Sequence, residues 1–80
     1  MNIHIQSEKL CTLREAAKLL PRRPNISTLH RWRQKGIRGV RLDTCLIGGI
    51  YYTSHEALQR FIEATTAAAE SAAGSITSRH

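Results

Sequence analysis

At 80 residues the chain has room for one small domain, and it carries 12 Lys and Arg against 6 Asp and Glu, a formal net charge of +6. Nine of its apolar residues are alanine, so the core is thinner than the 41% hydrophobic content suggests. A core of that size excludes most enzymes, which need a scaffold, cleft walls and a means of shedding water, and no apolar run approaches the roughly 18 residues of a membrane span. No catalytic residue is expected. The first residues show no basic segment followed by an apolar one, so no secretory leader is expected and the chain reads as cytoplasmic.

Residues 1–9 alternate weakly at Ile3 and Ile5 and read as a flexible arm or a short edge strand. A folded unit is expected over 10–66. Thr12 and Glu15 form a capping box that starts a first helix. Leu13, Ala16, Ala17 and Leu20 follow at i, i+3, i+4 and i+7, one apolar stripe. Pro21 ends it, because the residue before a proline is pushed out of the α region. Pro21-Arg22-Arg23-Pro24-Asn25 is then a stiff basic turn.

The spacing predicts a second helix from an N-cap at Ser27 to a C′ glycine at Gly36. At about 100° per residue, Leu29 and Trp32 face the core, with Ile26 helping at the start. Ser27, His30, Arg31 and Gln34 face away, flanked by Thr28 and Lys35. Residues 40–53 change period. Gly48-Gly49 between two β-forming runs predicts a two-residue hairpin with Ile47 opposite Ile50, Leu46 opposite Tyr51 and Cys45 opposite Tyr52. Leu42 falls on the other parity, so a break near Asp43-Thr44 is expected if it is core. A third helix starts at Thr53 or Ser54, with Thr53 and Glu56 as a second capping box and Leu58, Phe61, Ile62 and Thr65 as its stripe. Beyond about Thr66 nothing is left to pack, so 67–80 reads as a frayed helix end and a disordered tail. The expected fold is mainly α with a small β-hairpin, in the order α-α-β-β-α.

The histidines and the two cysteines, Cys11 and Cys45, lie at no metal-ligand spacing. No metal and no cofactor are expected, and both thiols read as free and buried. The charge pattern carries more. Seven bases fall between Pro21 and Leu42 (Arg22, Arg23, Arg31, Arg33, Lys35, Arg38 and Arg41), and that stretch holds no acid. One-sided positive charge is the footprint of a polyanion. On the outer face of the second helix, Arg31 and Gln34 suit guanine and adenine edges, and His30 suits a base edge or a phosphate. Arg22, Arg23, Arg33, Arg38 and Arg41 are expected on phosphates. Trp32 shares the stripe of Leu29 and reads as a core anchor rather than a base-stacking residue.

Thr12-Leu13-Arg14-Glu15-Ala16-Ala17-Lys18-Leu19-Leu20, then Ser27-Thr28-Leu29-His30-Arg31-Trp32-Arg33-Gln34-Lys35-Gly36, then Gly48-Gly49-Ile50-Tyr51-Tyr52-Thr53 and Ser54-His55-Glu56-Ala57-Leu58-Gln59-Arg60-Phe61-Ile62 come in an order that resembles the excisionase and MerR-like winged helix-turn-helix domains. The resemblance covers about residues 12–64. It implies sequence-specific binding of double-stranded DNA. The second helix would enter the major groove through Ser27, Thr28, His30, Arg31 and Gln34, with Lys35 beside them on the DNA. Gly48, Gly49 and Ile50 would form a wing tip against a backbone or minor groove. The excisionase-like branch, small and without an effector domain, is the closer match, and it implies nucleoid association. The role is then recombination directionality beside a separate integrase or recombinase, or that of a small transcriptional regulator. The C-terminal residues carry no apolar heptad, so a monomer that assembles cooperatively on DNA is expected, through Leu46, Ile50 and Tyr51. The alternative is a protein-interaction module whose basic face and hairpin dock an acidic partner.

Overall fold

The computed structural model describes residues 3–73. Strand β1 (Leu10–Thr12) leads into α1 (Leu13–Leu19), and α2 (Ile26–Gln34) follows. Strands β2 (Cys45–Ile47) and β3 (Ile50–Ser54) form a hairpin, and α3 (His55–Ala73) closes the chain. Three helices and a three-stranded antiparallel sheet make a mixed α/β domain, and the sheet order is β1-β3-β2. The order is therefore β-α-α-β-β-α, not the expected α-α-β-β-α. The strand missing from the sequence pattern is β1, which pairs Leu10, Cys11 and Thr12 with Ser54, Thr53 and Tyr52. A three-residue strand has too few positions to show a period; it exists because β3 offers a free edge.

Local chemistry fixes each end. Thr12 caps α1 through the Glu15 amide, and the Glu15 carboxylate accepts from the Thr12 amide at 2.8 Å, a complete capping box. The N-cap of α2 is Asn25, not Ser27: its Oδ1 accepts from the Ser27 amide at 3.0 Å, which makes Ile26 the first helical residue. At the other end Gly36 turns left-handed with φ 76°. A Cβ there would lie 2.1 Å from the Val40 carbonyl oxygen, so only glycine fits. The Leu42 amide then bonds the Trp32 carbonyl at 3.1 Å, returning the chain along α2.

The hairpin has the expected register, Ile47 with Ile50, Leu46 with Tyr51 and Cys45 with Tyr52. Gly48 and Gly49 both have positive φ, 58° and 84°, as a type I′ turn requires. The break at Asp43-Thr44 is present, since β2 begins only at Cys45 while Leu42 is buried in the core. The second capping box does not form. Ser54 accepts from the Ala57 amide, Thr53 donates to the Asp43 carbonyl, and Glu56 accepts from the Lys9 amide. Helix α3 continues to Ala73 rather than fraying near Thr66, although none of residues 62–71 is buried. Alanine-rich sequence holds helix by propensity alone there. Residues 74–80, expected to be disordered, lie outside the described residues.

The core is Cys11, Leu13, Ala16, Ala17, Leu29, Leu42, Leu58 and Phe61, with Leu20, Ile26, Trp32, Val40 and Tyr51 packed on it. Trp32 lies against Phe61 with ring centroids 4.9 Å apart, the anchor its stripe implied. Cys11 is buried, whereas Cys45 is only half-buried, and both are free. Residues 3–9 are tied down by Glu8, which accepts from the Ser54 hydroxyl and pairs with Arg60 at 3.2 Å.

Candidate nucleic-acid interface

Helix α2 lies with Leu29 fully buried and Ser27, Arg31, Gln34 and Lys35 exposed. Thr28 and His30 are half-buried on its two flanks. The expected outer face therefore stands, except that His30 is turned toward the sheet. Its ring meets the Tyr51 ring edge-on, with centroids 6.1 Å apart.

The largest departure is Arg33, which was expected on a phosphate. Its guanidinium carbon sits 3.9 Å from the centre of the Tyr51 ring, and Nη2 stands 3.4 Å from His30 Nδ1. The Arg33 Nε is buried with no hydrogen-bond partner. Arg33 thus packs inward and ties α2 to β3. The signal was available in the sequence: Arg33 follows Leu29 by four residues, the spacing that places two side chains on one helix face. Tyr51, the residue it stacks on and one of the three expected to mediate assembly, is half-buried against the core.

The remaining bases are displayed. Arg22, Arg23, Arg38 and Arg41 are all exposed. Three of them have left-handed backbones, with φ 65° at Arg22, 41° at Arg23 and 52° at Arg38, a region non-glycine residues rarely occupy. Arg38 and Gly39 cap a tight turn in which Ile37 and Val40 exchange backbone hydrogen bonds of 2.8 and 2.9 Å. This small turn holds Arg38 just past the end of α2. At the hairpin tip Gly48, Gly49 and Ile50 are exposed, with Leu46 and Ile47 beside them.

Five of the six acids have partners away from the stretch between Pro21 and Leu42. Glu15 caps α1, Glu56 holds the Lys9 amide, Glu63 accepts from Gln59, and Glu8 and Asp43 both face Arg60. The Ser54 hydrogen bond, then the Arg60 guanidinium, hold the Glu8 carboxyl below its usual range, and the Glu8 contact raises Arg60. Burial pushes the Cys11 thiol up, which keeps it protonated and inert. Among the described residues none of the seven bases between Pro21 and Leu42 makes an ion pair. Among the described residues no group of three His, Cys, Asp or Glu side chains gathers to hold a metal, and no helix is long and apolar enough to cross a membrane.

The fold and this surface define a small mixed α/β domain with an acid-free basic face centred on one short helix. The chain belongs to the family described as protein of unknown function (DUF1580), whose model matches residues 12–66, from the N-cap of α1 to just past the last packed turn of α3. No curated protein and no solved structure matches it.

Proposed function

We propose that the domain is a winged helix-turn-helix that binds double-stranded DNA in a sequence-specific manner, without catalysis. The observation that carries this is the outer face of α2: Ser27, Arg31, Gln34 and Lys35 are exposed together, no acid lies between Pro21 and Leu42, and four further exposed arginines flank the helix. Arg31 and Gln34 read bases in the major groove. Arg22, Arg23, Arg38 and Arg41 hold phosphates. The hairpin β2–β3 is the wing. Its resemblance to excisionase-like domains assigns it to recombination directionality beside a separate integrase, or to small-scale transcriptional regulation. It acts as a monomer whose copies assemble cooperatively on DNA.

A second reading, a protein-docking module, draws on the exposed apolar hairpin, where Leu46 and Ile50 are each about half exposed. Selection from a random duplex library separates the two. DNA binding predicts an enriched motif and an affinity that falls steeply with salt. Arg31→Ala should then cost about 1–3 kcal/mol on that motif and relax one base pair. No enrichment and no binding at low salt would favour the docking module.

A further inference from the structure

Two open grooves flank the start of α2. One, of about 450 Å³, is lined by Arg14, Ile26, His30, Gly49, Ile50 and Tyr51 together with Thr12 and Leu13. The other, of about 330 Å³, is lined by Arg14, Lys18, Arg23 and Asn25 with Ala17, Pro24 and Ile26. Arg14 and Ile26 line both, so the two grooves adjoin across this shared wall, and together they form a trough that runs from the hairpin tip to Arg23 and Pro24 with Arg14 at its middle. No acid lines either groove.

We infer that this trough seats the phosphate backbone of one DNA strand, with Arg14 as its central contact and Lys18 and Arg23 following along it. The inference rests on the DNA-binding reading above and extends the contact surface onto α1, which the sequence pattern had assigned only to packing. Three observations support it. The lining charges are all positive, which fits a polyanion and not an apolar peptide. Arg14 and Lys18 are four residues apart, so both project from one exposed face of α1. Arg14 stands in the first turn of its helix, where the macrodipole disfavours a cation, so local stability does not explain an arginine there. Ile26 and Ile50 give the trough apolar walls of the kind that pack against deoxyribose.

The test is a salt titration of duplex binding with the full chain, comparing wild type, Arg14→Ala with Lys18→Ala, Arg31→Ala, and Lys9→Ala as a charge control away from the trough. Both substituted α1 positions are exposed and alanine is the better helix former, so the double variant should fold, as circular dichroism would verify. It should bind about tenfold more weakly per lost contact near 0.1 M salt, equally on selected and random duplexes, with a slope shallower by about two. A double variant with the wild-type slope, or one no weaker than Lys9→Ala, overturns the trough while the recognition helix stands if Arg31→Ala still loses specificity. Wild type failing to bind any duplex at low salt overturns both.

Discussion

The Arg33 guanidinium stacks on Tyr51 and its Nε is buried, so the residue serves packing and ties α2 to β3. The stacked pair contributes about 0.5–2 kcal/mol, in proportion to how far water is excluded, and the aliphatic stem adds packing. Arg33→Ala should therefore lower the unfolding free energy by about 1–2 kcal/mol in urea titrations while leaving the salt slope of DNA binding unchanged. A shallower slope with unaltered stability would return Arg33 to the phosphate set. Arg31, two positions earlier and fully on the outer face, should behave in the opposite way, affecting recognition and not folding. The pair shows why charge counts along a helix say little until each charge is placed on its face.

At the scale of the element, α2 depends on its two ends. Asn25 holds the start, and Gly36 permits the reversal that brings Leu42 back to Trp32. Gly36→Ala would combine a left-handed alanine with a contact against the Val40 carbonyl that backbone cannot yield. The expected loss is about 2–4 kcal/mol, measured by thermal unfolding, and a loss under about 0.5 kcal/mol would mean that the turn readily rearranges. The ends also show what a sequence discloses. The β2–β3 register was legible because a Gly-Gly pair permits one turn type and the turn then sets every pair. The α1 cap was legible because both halves of its box are local. Asn25 and Ser27 are both good caps two residues apart, and the choice between them needs Ile26 packed on the core. The spacing offers Glu56 to Thr53, yet its carboxylate accepts from the Lys9 amide, a neighbour only after β1 has joined the sheet. The outer face of α2 was legible from periodicity, while the Tyr51 contact was not, since it joins residues far apart in sequence.

Across the whole molecule, charge is sorted. Exposed bases gather on α2, its turns and α1, while Glu8 and Asp43 pair with Arg60 and so join the segment before β1, the segment before β2 and α3. Because folding lowers the Glu8 pKa, through Ser54 first and Arg60 next, the ionised carboxylate favours the folded state. That stability is complete above the ordinary carboxylate value of about 4.3 and is lost as pH falls through the lower folded value. Glu8→Gln should thus be less stable than wild type at neutral pH, with the gap narrowing in acid, as urea unfolding at several pH values would show. A gap that is constant down to pH ~3 would mean that the charge of Glu8 plays no part. One junction carries a mechanical consequence. Strand β3 ends at Ser54 and α3 begins at His55 with no loop between them, and Glu8 and Arg60 brace the corner. With no slack residue at the buried Ser54, the DNA-binding reading proposed above predicts that a displacement of the Gly48-Gly49 tip on a duplex is passed to α3, whose end beyond Phe61 runs about 18 Å. A dye at Ser71 would register what happens at the tip.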